Sequence, residues 1–212
     1  MIRIFFFASV LACSSGWVVA DSSSEHTIAG RTIADYHSQV DDENRVVRLR
    51  AVRSLAAFKS AAIDELTKAL DHQDAAVRYL AAEALGDIGQ AASPQAQQRL
   101  TEMAKNDPSR AAKNAASYAL CRFGLVDEHL PQLIESLAYP ERGMVCSTAE
   151  LIGKIGPSAA AATKTLQQMT IDHAPGGKGD YHIGGAATNA LRKIQNEQPA
   201  QQPPAQQPGD QQ

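Results

Sequence analysis

The amino-acid sequence predicts an all-α fold, an α-α superhelix (solenoid) of about five helix pairs. Three observations carry that prediction. A string at 77–89, VRYLAAEALGDIG, has four echoes along the chain: VRLRAVRSLAAFK at 47–59, AKNAASYALCRFG at 112–124, MVCSTAELIGKIG at 144–156 and IGGAATNALRKIQ at 183–195. Each echo carries small or apolar residues with the spacing i, i+3, i+4, i+7, i+8 and i+11, which is one face of an α-helix. An amphipathic segment precedes every echo, so the repeating unit is a pair of helices. Helix pairs recurring at a few tens of residues mark a stacked solenoid.

The elements follow in order. In the second copy the face is Val77, Leu80, Ala81, Ala84, Leu85 and Ile88, and Gly89 ends the helix. The third copy fills the same slots with Ala112, Ala115, Ala116, Ala119, Leu120 and Phe123, ending at Gly124. The fourth has Met144, Ser147, Thr148, Leu151, Ile152 and Ile155 before Gly156, and the fifth has Ile183, Ala186, Ala187, Ala190, Leu191 and Ile194. The first copy is looser, with Arg50 in an apolar slot. A terminal repeat is expected to be atypical because one of its sides faces water. The preceding partner helices are expected at about 31–40, 60–70, 94–105, 128–138 and 158–171, by the same apolar periodicity. Ser93-Pro94 reads as an N-cap followed by a proline at the first helical position, and Pro157 also marks an opening. One helix pair cannot bury its own apolar face, whereas five stacked pairs bury a continuous core. The abundance of Ala predicts close helix approach, with Ala84 and Ala119 at the tightest places.

The ends have a different character. Residues 1–20, MIRIFFFASVLACSSGWVVA, have a positive start at Arg3, a short apolar run and small residues before Asp21. They read as a cleaved export leader, placing the mature protein in the periplasm or outside the cell. Lipidation at Cys13 is the alternative, which Leu11 disfavours. Residues 21–30 are expected to be a flexible N-terminal segment. Residues 31–195 form the repeat domain, and the Pro/Gln-rich stretch 196–212 is expected to stay disordered for want of apolar side chains. No segment of the mature chain has the roughly 20 apolar residues that a membrane-spanning helix needs.

The string AxxALGxIG, seen at Ala81–Gly89 and echoed by AELIGKIG, is similar to the HEAT-like repeats, specifically the short repeats of the phycobilisome-lyase-like type. Asp74 and Arg78 match the acid-then-Arg spacing of those repeats. The resemblance spans five units over residues 31–195 and implies a scaffold that docks other proteins. It also implies the alternative of a lyase-like or chaperone-like role on a chromophore-bearing or other small-ligand partner. Val145 and Gly184 stand where Arg78 stands in the second copy, so a continuous side-chain ladder is not expected through the last two units.

Chemistry is sparse. Cys121 and Cys146 lie at different heights on adjacent helices, offset by about 10 Å along the axis. Neighbouring helices are a further 8–10 Å or so apart, and a disulfide needs Cα atoms within about 7 Å. Two buried structural thiols are therefore expected. The histidines form no HExxH or Cys-x-x-Cys-supported pattern, so no metal site and no cofactor is expected. The stretch HAPGGKGDYHIGG at 173–185 lengthens the last repeat; His173, Lys178, Asp180, Tyr181 and His182 make it a candidate contact loop. Its GGKG has the wrong spacing for a phosphate loop. Arg45, Arg48, Arg50 and Arg53 crowd the first main helix behind Asp41, Asp42 and Glu43. They read as a self-neutralising face or a docking patch for an acidic partner. A formal net charge of −3 argues against nucleic acid.

The reading that results is a non-catalytic, exported, monomeric scaffold that binds a protein partner through its curved face. An accessory subunit of an envelope complex is a further alternative. The partner-binding residues expected from exposed positions of successive main helices are Arg48, Arg78, Tyr79, Glu83, Lys113 and Tyr118.

Overall fold

Four of the five helices that match the echoes begin where a short polar side chain caps them, and the fourth copy, which starts at Glu141, is the exception. Asn44, Asp74 and Asp180 each accept a hydrogen bond from the backbone N–H two residues on, at 2.9 Å, while Ser93 and Ser109 reach the N–H three residues on. The computed structural model describes residues 27–89, 93–174 and 179–195. The leader expected at 1–20 and the tail expected at 196–212 lie outside the described residues. The helices run α1 (Ile33–His37), α2 (Arg45–Ala57), α3 (Ile63–Ala69), α4 (Ala75–Ile88), α5 (Pro94–Asn106), α6 (Arg110–Arg122), α7 (Val126–Ser136), α8 (Arg142–Ile155), α9 (Thr163–Asp172) and α10 (Tyr181–Ile194). Short 3-10 turns, Lys59–Ala62 and Gly156–Ala162, lead into α3 and α9. Among the described residues there is no β-strand, only an isolated bridge between Ile28 and Arg31.

The even-numbered helices are the five echoes and pack side by side as one layer; the odd-numbered partners form the other. The fold is the α-α superhelix expected from the periodicity. Two departures concern the first repeat and the segment before it. Its partner helix shortens to five residues, and Ile28 and Arg31 exchange backbone hydrogen bonds of 2.9 and 3.1 Å ahead of it. Tyr36 then donates its hydroxyl to the Ile28 carbonyl at 2.8 Å, closing the end of the stack.

The core repeats as the helices do. Leu66, Leu100, Leu133 and Leu166, one from each of α3, α5, α7 and α9, are all fully buried. Leu55, Leu85, Leu120 and Ile152 answer them from α2, α4, α6 and α8. Burying a side chain of this size stabilises by about 1.5–3 kcal/mol, so the double row is what holds successive pairs together.

The two glycines of ALGxIG have separate jobs. Gly89 and Gly156 take φ of +79° and +77°, in the region where a Cβ is strained, and end α4 and α8. Gly86 and Gly153 set the helix spacing. A Cβ at Gly86 would lie 2.9 Å from the Ala119 Cα and 2.6 Å from the Tyr118 ring; one at Gly153 would lie 3.0 Å from the Ala190 Cα. Helices α4 and α6, and α8 and α10, therefore meet nearly backbone to backbone. The matching slots at the junction of α6 with α8 hold Cys121 and Leu151, two larger side chains. This is the main-helix step with the least close approach. Its interior is also the most polar: Asn114 donates to Thr148 Oγ1 at 2.9 Å and accepts from Ser136 Oγ at 2.9 Å, all three buried. The buried side chains accordingly form two clusters that meet at α6.

Substituting Gly86→Ala should destabilise by about 1–3 kcal/mol through overpacking. Gly143→Ala, on an exposed helix position with nothing within 4 Å of the added carbon, should be neutral or stabilise by about 0.5–1 kcal/mol. Urea unfolding of both variants measures the contrast.

Candidate partner-binding groove

The face of the main helices turned away from their partners is curved. Its clearest mark is Lys154 on α8, which passes across α6 to reach α4, where its Nζ lies 2.7 Å from Glu83 Oε1 and 3.0 Å from Asp87 Oδ2. Tyr118 of α6 sits beneath, donating its hydroxyl to the Asp87 carboxylate with the Lys154 ammonium 5.8 Å above its ring. An ammonium can bridge alternate helices only if the row bends toward this side.

On the same helices lies an open groove of about 560 Å³, lined from α2, α4, α6 and α8 together. Small residues (Ala76, Ala111 and Gly143) line it beside an apolar wall of Leu49, Leu80, Tyr79 and Met144, and the exposed Arg45 and Arg53 form its rim. Burial, reinforced by Glu83, pushes the Tyr79 phenol well above its usual range; burial and the bond to Asp87 do the same for Tyr118. Both stay protonated, and Tyr118 donates to Asp87. Burial pulls the Lys154 ammonium down, but its bonds to Glu83 and Asp87 outweigh this and raise it, so it keeps its charge.

The edge formed by the turns is built differently. Arg48 donates through Nη1 to the carbonyls of Asp42 and Glu43, at 2.8 and 2.9 Å, and through Nη2 to Asp74 at 2.9 Å. Arg78 repeats the arrangement one unit on: Nη1 bonds the His72 and Gln73 carbonyls, while Nε and Nη2 hold Asp107 at 2.7 and 2.9 Å. Each guanidinium ties its own turn to the next one. The Arg78–Asp107 side chains are 12% and 5% exposed, so this rung is nearly removed from water. Lys113 occupies the third position and bonds only the Lys105 carbonyl, at 2.8 Å.

The expectation of exposure at the six partner-binding positions is corrected here. Tyr118 is 1% exposed because the absence of a side chain at Gly86 draws its ring against α4. Arg48 and Arg78 are half-buried because their guanidinium groups hold the turns together. Glu83 is half-buried and paired with Lys154, and Lys113 is half-buried at the ladder edge. Tyr79 alone of the six lines the groove. Sequence reasoning missed Leu49, Leu80, Met144, Asp87 and Lys154. Leu80 and Met144 sit in the apolar stripe and read as core. The contact of Lys154 with Glu83 spans 71 residues and follows from the bend alone.

In the 173–185 stretch, His173 Nδ1 accepts from the Asp180 backbone at 2.8 Å, and Asp180 caps α10 while facing Arg142 at 3.5 Å. Burial would raise the Asp180 carboxyl, but its bond from the His182 N–H and the Arg142 charge lower it. Tyr181 is exposed and stacks on His182 at 4.0 Å; Lys178 lies outside the described residues. Among the described residues no group of three or more His, Cys, Asp or Glu is placed to hold a metal ion, and no helix is long and apolar enough to cross a membrane. Cys121 and Cys146 are unpaired. Cys121 is buried as expected, whereas Cys146, close to the start of α8, is only half-buried. Burial pushes the Cys121 thiol up to about 12 and raises that of Cys146 as well.

Residues 36–121 match a family model described as HEAT repeats, as the motif resemblance implies. Similar solved structures include an engineered protein with 18% identity and a TM-score of 0.45, over 77% of this chain and 79% of that one. The complex of CpcE and CpcF of phycocyanin lyase from Nostoc sp. has 21% identity and a TM-score of 0.46, over 81% of this chain and 68% of that one. No curated protein matches the chain.

The ladder has a pH signature. Hydrogen bonds from Arg48 and the Ala76 N–H hold the Asp74 carboxyl at about 2, below its ordinary 3.8. A carboxylate depressed on folding stabilises above its unfolded value and loses that contribution as pH falls through its folded value. Asp74→Asn should therefore be less stable than the parent above about pH 4 and converge with it near pH 2. Thermal melts across that range measure the convergence.

Proposed function

We propose that this chain, with HEAT repeats at 36–121, is a non-catalytic scaffold that binds an extended segment of a protein partner along its curved face. The groove shared by α2, α4, α6 and α8 carries the reading. Its apolar wall of Leu49, Leu80 and Met144 accepts an apolar side chain of the partner. Arg53 has no ion pair among the described residues, and Arg45 shares Asp74 with Arg48, so the rim favours an acidic neighbour on the same segment. The Glu83–Asp87–Lys154 cluster closes the far end with charges already matched to each other. The thiols and phenols near the face are held protonated, which supports docking over nucleophilic chemistry. Export directed by the leader at 1–20, with action in the periplasm or outside the cell, belongs to the same proposal and rests on Arg3 and the apolar run that follows it.

Panning a random-peptide library against residues 21–212 tests this. Enriched peptides should pair an apolar side chain with an acidic one, and Met144→Asp, at a half-exposed position in the first turn of α8, should lose them while melting like the parent. Peptides that bind Met144→Asp and the parent equally would overturn the groove as the binding face.

A further inference from the structure

The ladder on the turn edge stops in an unusual way. Its first two rungs are Arg48 with Asp74 and Arg78 with Asp107, each a cation answered by an acid of the next turn. The third cation, Lys113, has no such answer. The residue matching Asp74 at the start of the next main helix is Glu141, which is exposed and makes no ion pair among the described residues. Two further cations stand beside Lys113. Lys105 gives it only a backbone carbonyl, and Arg110 lies with its Cζ 4.4 Å from the centre of the Tyr139 ring, which fixes the guanidinium in place without neutralising it. Neither Lys105, Arg110 nor Lys113 has an ion pair among the described residues.

These three cations border a cavity of about 490 Å³ between α5, α6 and α7. Asn114 and Ser136, both buried, and Gln132 bring neutral polar groups to it, and Glu135 is the one acid in its lining. The first turn of α6, where Arg110 sits, adds the positive end of a helix of 13 residues. Three cations against one carboxylate leave an excess of positive charge around a partly enclosed space, at the place where the ladder elsewhere supplies an acid.

We propose that this cavity binds one anionic group, a carboxylate or a phosphate, which completes the third rung at Lys113 with Arg110 as its second donor. The site is on a different face of α6 from the groove and does not depend on the groove being a binding surface. Two sources supply this chemistry: an acidic side chain of a bound protein, or a free phosphate ester.

Amide-shift titrations of the parent chain with inorganic phosphate and with N-acetylglutamate, each at constant ionic strength set with chloride, test the proposal and separate the sources. Saturable shifts should appear at residues 105, 110–114 and 132–139. Phosphate alone producing them assigns a phosphate site; N-acetylglutamate producing them as well assigns a carboxylate site. Lys113→Gln and Arg110→Gln should each weaken binding about tenfold or more, the loss of one charge-assisted bond. Glu135→Gln should tighten it and Arg99→Gln, on exposed α5 surface, should leave it unchanged. Shifts equal to those from chloride, or shifts that persist in both Lys113→Gln and Arg110→Gln, would overturn the site.

Discussion

The near-contact of backbones at Gly86 with Ala119, and at Gly153 with Ala190, sets how closely the main helices stack. Where a glycine faces an alanine, main helices pack at the short end of the usual helix spacing. The α4–α6 contact at Gly86 lets the Tyr118 hydroxyl cross to Asp87 and shortens the span that Lys154 crosses over α6 to α4. Relax it, and the curved face opens and its cavity disperses. The junction of α6 with α8 shows what the constraint does by lacking it. Cys121 and Leu151 hold the helices apart, and a buried Asn114–Ser136–Thr148 network fills the gap with directional bonds. Such a network specifies one register where shape alone specifies less.

Two edges of the same stack thus acquire different chemistry from one repeat. On the main-helix face, small residues yield a groove with an apolar wall and a cationic rim. On the turn edge, a cation four residues after the caps of α2, α4 and α6 is placed to bind its own turn and the next. Arg48 and Arg78 do both. Lys113 cannot, because an ammonium lacks the fork that lets a guanidinium serve two carbonyls and a carboxylate at once. The break in the ladder and the loosest helix junction therefore fall together, between the third and fourth repeats.

Most of the architecture was legible in the sequence because it is written in short-range signals. The period of the apolar residues, the caps at Ser93 and Asp74, and the stops at Gly89 and Gly156 each act within a few residues of themselves. The face that forms the groove was not legible in the same way. Tyr118 looks exposed on a helical wheel, and it is buried because of a missing side chain 32 positions earlier, at Gly86. Leu80 and Met144 satisfy the apolar period as well as any core residue; the bend of the row, a property of several repeats at once, leaves them lining a cavity. The half-buried Arg48 and Arg78 show the converse, since charge alone reads as surface until the acid of the next turn is in view.

The groove exists only if the row of main helices bends, and a distance across the row measures the bend. Arg53 on α2 and Ser147 on α8 line one cavity although three helix steps separate them. A straight row would set them about 24–30 Å apart at ordinary helix spacing. Spin labels at Arg53→Cys and Ser147→Cys, in a Cys146→Ser background with Cys121 left buried, report that separation by pulsed dipolar spectroscopy. A bent row gives a single narrow distribution well short of the straight-row value. A distribution centred at or beyond it would contradict the curved face and the groove built on it.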